Sequence, residues 1–218
     1  MVKQVRARSE QAKAARRGEI LAQTRRLWAS TRYADLTLQQ VAQGVGLSKP
    51  ALYAYFPTKE DLFLSLTQGV LDDWFAALEQ HLRLGGRHTP VSLVGLMVAL
   101  IGERAELITL IPPLSALFER NIGAQRARAY KHWLLGRTTT LGPLLEQALP
   151  GLPTGGGLRL LTYTQALIAG LYPMSDPSAS MHEVLNDPEL SALRVEFMPA
   201  LEDALGALCR GLVAERKS

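Results

Sequence analysis

Apolar side chains recur at helical spacing along most of this chain, and no run of alternating β-branched residues between turn signals competes with that pattern. Ile20, Leu21, Thr24, Leu27, Trp28 and Thr31 mark a first helix whose remainder is basic, with Arg16, Arg17, Arg25 and Arg26. Two short helices are predicted over 38–44 and 49–56, split by the Gly44-Val45-Gly46 turn. A long amphipathic helix follows over 59–84, carried by Leu62, Leu66, Val70, Trp74, Ala77 and Leu78 and ended by Gly85-Gly86. Further helices are expected at 90–109, 113–121, 124–148, 157–172 and 189–215, with one short turn at 181–186. The fold class is all-α: an N-terminal three-helix domain over 1–62, then a larger helical domain over 63–218.

Between Leu38 and Tyr55 the pattern narrows to a helix-turn-helix. Ala42 lets two helices cross closely, Gly46 suits a turn needing positive φ, and Val41, Val45, Leu47 and Leu52 fill a small core. Each helix has a start signal. Thr37 with Gln40 forms a capping box, Ser48 precedes a helix that tolerates Pro50 in its first turn, and Thr58 with Asp61 opens the long helix. The second helix would expose Ser48, Lys49, Ala51, Tyr53, Ala54 and Tyr55, a mix of hydroxyls, one cation and small residues suited to base edges and phosphates. Thr37 and Lys59, at helix starts, can add phosphate contacts.

The charge distribution agrees. Residues 1–62 hold 11 Lys or Arg against 5 Asp or Glu, whereas the remaining residues hold 13 against 15. A basic first quarter is the footprint of nucleic-acid binding, although a solvated basic tail has the same composition. With 47% hydrophobic and 20% charged residues the chain has ordinary globular usage. Its longest uncharged stretches, 88–102 and 160–175, are too short for a membrane span. The segment 1–19 is polar and basic, so a cytoplasmic location is expected. Cys209, the single cysteine, reads as a small core residue.

The stretch from Arg32 to Ala42, and then Gly46-Leu47-Ser48-Lys49-Pro50-Ala51-Leu52-Tyr53-Ala54-Tyr55-Phe56-Pro57-Thr58-Lys59-Glu60-Asp61-Leu62, resembles the DNA-binding signature of the tetracycline-repressor (TetR) family of transcriptional regulators. The resemblance implies that Thr37, Tyr53, Tyr55 and Lys59 hold the phosphate backbone, that Ser48, Lys49, Pro50 and Ala51 face the major groove, and that Phe56 and Leu62 are structural. Arg32 departs from it, standing where the family usually has glycine.

For residues beyond 65 the resemblance implies a homodimer through the last two long helices, a ligand cavity in each subunit, and a repressor released from operator DNA by a small-molecule effector. Ala166, Ala169 and Gly170 would permit close helix approach. Leu190, Leu193, Phe197, Leu201, Leu205, Leu208 and Leu212 form an apolar stripe on a final helix that Pro199 should kink. Intrachain core explains that stripe equally well. Trp74, Met97, Phe118, Tyr130, Trp133, Tyr163 and Tyr172 are the candidate effector contacts, which would favour a mostly apolar molecule, although such side chains at helical spacing are more often core.

Two other functions compete. An enzyme lacks support, because His81, His88, His132 and His182 are scattered, His182-Glu183 with Asp187 reads as a solvated helix start, and Gly155-Gly156-Gly157 has no flanking phosphate-loop residues. No cofactor or metal is expected. The other alternative is a DNA-binding protein whose second domain only dimerises or binds another protein.

Overall fold

The computed structural model describes residues 2–214, and among these every regular element is helical. Helix α1 (Val2–Trp28) begins well before the apolar positions that marked it, and Thr31 lies beyond its end. Then come α2 (Leu38–Gly44) and α3 (Lys49–Tyr53), the latter closing three residues before the expected 56. Helix α4 (Lys59–Arg83) is the long connector. The larger layer contains α5 (Pro90–Gly102), α6 (Ala105–Pro113), α7 (Ala124–Ala148), α8 (Gly156–Ser175), α9 (Ala179–Val184) and α10 (Phe197–Ala214).

Three expectations are corrected. The helix expected over 90–109 is two helices, because the chain leaves helical geometry at Arg104 (φ −127°, ψ 70°). The Arg104 guanidinium turns back and donates to the Leu100 carbonyl at 2.8 Å, satisfying an end group of α5. The helix expected over 113–121 is a single π-type turn, Leu114–Phe118. It follows Pro112 and Pro113, which remove two consecutive i→i−4 donors and so favour the wider turn. The last helix expected over 189–215 is a 3-10 turn, Pro188–Leu193, followed by α10. Leu193 is therefore exposed, and both it and half-buried Leu190 lie off the stripe. Pro199 sits in the first turn of α10, where no N–H is missed, so it bends nothing.

The apolar stripe of α10 faces its own chain. Leu201, Leu205, Cys209 and Leu212 are buried, and α10 packs on α5 and α8. Helix α8 occupies the centre of the larger layer, touching α6, α7 and α10. Its glycine-rich start is a helix terminus: the N–H groups of Gly155 and Gly157 both donate to Glu146 Oε1, at 2.9 and 3.2 Å. Gly157 lies so close to α7 that a Cβ there would fall 2.2 Å from the Gly142 carbonyl oxygen.

The start of α4 determines how the two parts meet. Asp61 through Thr67 are all buried, because one face of this turn pair carries the helix-turn-helix and the other carries the larger layer. Phe63, fully buried, stands at the centre of an aromatic cluster with Trp28 (5.1 Å between ring centroids), Tyr33 (4.9 Å) and Phe118 (5.3 Å). Trp28 and Tyr33 belong to the N-terminal segment and Phe118 to the larger layer. The buried apolar residues form one continuous cluster across this junction.

Candidate nucleic-acid interface

Short-range hydrogen bonds build the helix-turn-helix from its caps. The Thr37 hydroxyl accepts from the Gln40 N–H at 3.3 Å, and the Gln40 side chain accepts from the Thr37 N–H at 2.7 Å. Ser48 Oγ accepts from the Ala51 N–H at 3.3 Å, and Thr58 Oγ1 from the Asp61 N–H at 3.0 Å. Between α2 and α3 the chain reverses at Gly46 (φ +66°), a region costly for any side chain with a Cβ. The Leu47 N–H then returns to the Ala42 carbonyl at 2.8 Å, closing the turn. Beneath it Leu36, Leu38, Val41, Ala42, Leu52 and Phe56 are buried.

On the outer face Ser48, Lys49, Pro50 and Ala54 are exposed, as is Tyr53, a large ring with 42% of its surface in solvent. Ala51 and Tyr55 are half-buried, and Thr37 is exposed one turn away. Lys59 is different: its ammonium donates to the Tyr33 carbonyl and lies 4.0 Å from the Tyr33 ring centroid. Burial pushes its pKa down from the ordinary lysine value. The Tyr33 hydroxyl in turn donates to Glu60 Oε1 at 3.1 Å. Burial, reinforced by the Glu60 carboxylate, pushes this phenol far above its usual value.

Two residues not singled out from the sequence hold this unit in place. Arg16 donates to the Val45 carbonyl at 2.8 Å, and Arg17 to the Tyr55 carbonyl at 2.6 Å. The Arg17 guanidinium also stacks 4.0 Å from the Phe56 ring centroid. So α1 grips the turn before α3 and the segment after it. A signal was present, since Arg16 and Arg17 lie four and three residues before buried Ile20 and hence on its face of α1. Basic composition alone had assigned them to a generic remainder.

The seven candidate effector contacts do not converge. Trp74, Tyr130 and Trp133 are linked through Phe75, by ring pairs of 5.2 Å (Trp74–Phe75), 6.2 Å (Phe75–Trp133) and 5.6 Å (Tyr130–Trp133). Phe118 is at the domain junction, Met97 is buried on α5, Tyr163 is half-buried on α8, and Tyr172 packs edge-on against Phe197 at 5.7 Å. Tyr172 lines a cleft of about 580 Å³ beside Trp28 and Arg32, and Trp133 lines one of about 380 Å³ beside Arg17. The other five line neither cleft. Trp74 Nε1 and the Tyr130 hydroxyl are buried without a hydrogen-bond partner among the described residues. Among those residues no group of three His, Cys, Asp or Glu side chains could hold a metal ion, and no helix is long and apolar enough to cross a membrane.

A capped helix-turn-helix with its second helix facing solvent, joined by one long helix to a larger helical layer, defines a helix-turn-helix transcriptional regulator. Residues 20–66 match the family profile "Bacterial regulatory proteins, tetR family", and residues 68–216 match "Tetracyclin repressor-like, C-terminal domain". The chain belongs to the TetR family. Among curated relatives, the HTH-type transcriptional regulator EthR of Mycolicibacterium smegmatis is 41% identical over 51 residues, 23% of this chain and 24% of that protein. EthR of Mycobacterium tuberculosis is 37% identical over 60 residues, 28% of each. The chain thus aligns with about a quarter of the length of these relatives. Among solved structures, Thermus thermophilus FadR, a TetR-family transcriptional repressor in complex with lauroyl-CoA, superposes with a TM-score of 0.58 at 20% identity, covering 93% of this chain and 95% of that one. A possible TetR family transcriptional regulator from Streptomyces coelicolor gives 0.56 at 19% identity, covering 94% and 100%. These two likenesses establish the fold.

Proposed function

We propose that the protein is a homodimeric transcriptional repressor that seats α3 of each subunit in the major groove of a palindromic operator and is released by a small, mostly apolar effector bound in the larger layer. The observation that carries the reading is the solvent-facing surface Ser48-Lys49-Pro50 with Tyr53, held on a helix that is capped at its start and gripped by α1. Lys49 at the helix start can reach base edges, with Ser48, Pro50 and Ala51 beside it, while Thr37, Tyr53 and Tyr55 supply hydroxyls to phosphates. Lys59 joins them by exchanging the Tyr33 carbonyl for a phosphate oxygen. A cytoplasmic location fits this role.

Dimerisation is supported by the outer faces of the last two long helices. On α8 one row of exposed positions recurs every fourth residue, at Leu158, Thr162, Ala166, Gly170 and Met174, with the smallest residues central and with Arg159 and Pro173 exposed beside it. On α10 the small exposed residues are Ala207, Gly211 and Ala214, flanked by the exposed charges Glu202, Asp203 and Arg210. Two low-relief rows of this kind allow four helices to approach closely across a two-fold axis.

The test is selection of binding sites from a random duplex pool. The enriched sequences are expected to be palindromic, with half-site centres about one helical turn or a multiple apart. Lys49→Ala should then change base preference by about 1–3 kcal/mol at an affected position. Tyr53→Phe and Tyr55→Phe should weaken every sequence alike, by about 1.5–3 kcal/mol for each lost bond to a charged phosphate. Monomeric binding, or a preference that shifts with Tyr55→Phe and not with Lys49→Ala, would overturn the docking.

Effector release rests on α4, which spans roughly 38 Å at 1.5 Å per residue and joins the α3 surface to the layer carrying Trp74, so a small tilt at one end is amplified at the other. Lauroyl-CoA, the ligand of the Thermus thermophilus relative, is the first compound to titrate against operator affinity. The packing of Met97, Phe118 and Tyr130 into the core favours the second reading, in which the larger layer only dimerises. A ligand that stabilises the protein and lowers operator affinity about 5- to 150-fold decides for an effector.

A further inference from the structure

The cleft of about 380 Å³ between α1, α4 and α7 is lined by Arg17, Leu21, Ser65, Gln68, Arg126 and Trp133, with Gly69 and Asp72 at its edge. Arg17 comes from the helix-turn-helix half and Arg126 from the larger layer, and both donate to the same atom: each guanidinium places one nitrogen 3.0 Å from Ser65 Oγ. Those two nitrogens therefore lie within 6.0 Å of one another. One carboxylate serves the two cations. Asp61 pairs with Arg126 Nε at 2.6 Å, and the recorded hydrogen bonds of Arg17 all go to neutral oxygens, the Tyr55 carbonyl and the Ser65 hydroxyl. Asp72 brings no compensation, since its carboxylate is held by Arg137 at 3.0 Å. Burial pushes the Arg17 pKa down, the Asp61 carboxylate opposes it, and the neighbouring Arg126 cation adds a smaller downward push.

Ser65 adds a third donor. Its oxygen already accepts two hydrogen bonds, which uses both lone pairs, so its own proton is left to donate. The residue is over nine-tenths buried, and no acceptor for that proton is found among the described residues. Two guanidiniums and a hydroxyl thus adjoin a cleft that Leu21 and Trp133 line with apolar surface, beside Asp72 and the Gln68 amide, whose oxygen accepts from Arg126 at 3.3 Å.

We infer that this cleft is an oxyanion site that takes a phosphoryl group, placed between the two halves of the chain. Three donors from three different helices match the three oxygens of a phosphoryl group better than the two of a carboxylate. The apolar surface of Leu21 and Trp133 suits a phosphoryl group carried on an organic molecule. Occupancy is communicated to the DNA-binding half, because the guanidinium that meets the anion is the one that holds the carbonyl of Tyr55. The site does not depend on the DNA-binding reading, and the experiment contains no DNA.

Full-length protein is titrated at constant ionic strength with inorganic phosphate, n-butyl phosphate and acetate, followed by calorimetry and by the NMR signals of the arginine side-chain Nε–H groups. Both phosphates are expected to bind at one site per chain and to shift the Arg17 and Arg126 Nε–H signals, with acetate binding more weakly. Tighter binding of butyl phosphate assigns the site to a phosphorylated organic molecule, and equal binding assigns it to free phosphate; either supports the site. Arg17→Gln should weaken binding about tenfold or more, Ser65→Ala should weaken it less, and Arg128→Gln, an exposed cation on the same helix as Arg126, should leave it unchanged. Arg126→Gln strands Asp61, so Arg126→Lys is used beside it to keep the charge while losing the fork. Acetate binding as tightly as phosphate, an affinity unmoved by Arg17→Gln, or unshifted Arg17 and Arg126 signals in the unaltered protein would each overturn the assignment.

Discussion

Replacing Phe63 with alanine is expected to destabilise the protein by about 3–5 kcal/mol, within the range for deleting a buried aromatic ring from a packed core. Phe63 has no exposed surface and contacts the rings of Trp28, Tyr33 and Phe118, so the substitution opens a cavity bounded by residues from both halves of the chain. These neighbours are themselves anchored: Trp28 Nε1 donates to Thr109 Oγ1 at 2.8 Å, and Tyr33 is held by Glu60 and Lys59. They cannot collapse into the space without losing those bonds, which places the cost toward the upper end. For a chain of 218 residues this corresponds to a fall in Tm of roughly 6–20 °C. Calorimetric unfolding of Phe63→Ala beside Tyr53→Ala, an exposed ring, measures it. A loss below about 1 kcal/mol would show that the aromatic cluster does not join the halves.

The second large effect is expected at Gly157. Its α-hydrogen side faces the α7 backbone, where an added Cβ would lie 2.2 Å from the Gly142 oxygen and 2.7 Å from the Gly142 Cα. Backbone atoms within a helix cannot rotate away as a side chain can, so Gly157→Ala must separate α7 from α8. Overpacking of this kind costs about 3 kcal/mol, or roughly 6–12 °C in Tm. The same substitution at Gly136, also on a long helix but with open space around it, should be neutral or stabilising by up to about 1 kcal/mol, because alanine is the better helix former. Equal Tm values for the two variants would refute the close approach. Because α8 also carries the proposed dimer face, Gly157→Ala should weaken self-association as well, which sedimentation measures.

Much of the DNA-facing unit was legible in the sequence because local chemistry specifies it. Thr37, Ser48 and Thr58 satisfy N–H groups three residues ahead, and Gly46 takes a φ that its neighbours could not take cheaply. Such interactions act within one turn, so residue type and spacing determine them wherever the chain goes next. The all-helical class followed from apolar periodicity for the same reason, and the family followed from residues 32–62.

What the tertiary structure decided lies beyond that range. Periodicity continued through Glu103 and Arg104, yet α5 and α6 part there because their apolar faces pack on different partners, α10 for one and α8 for the other. The stripe of Leu201, Leu205 and Leu212 fitted a dimer face and an intrachain core equally; the packing of α10 on α5 and α8 turned it inward. Arg16 and Arg17 looked like part of a basic surface until residues 29 and 38 positions away supplied their carbonyl partners. The aromatic residues nominated for an effector were separated for the same reason: helical spacing states that a side chain faces inward, not what it meets there. Sequence thus determined the elements that close their own hydrogen bonds, whereas the partners of each apolar face were determined only when distant helices excluded water from it together.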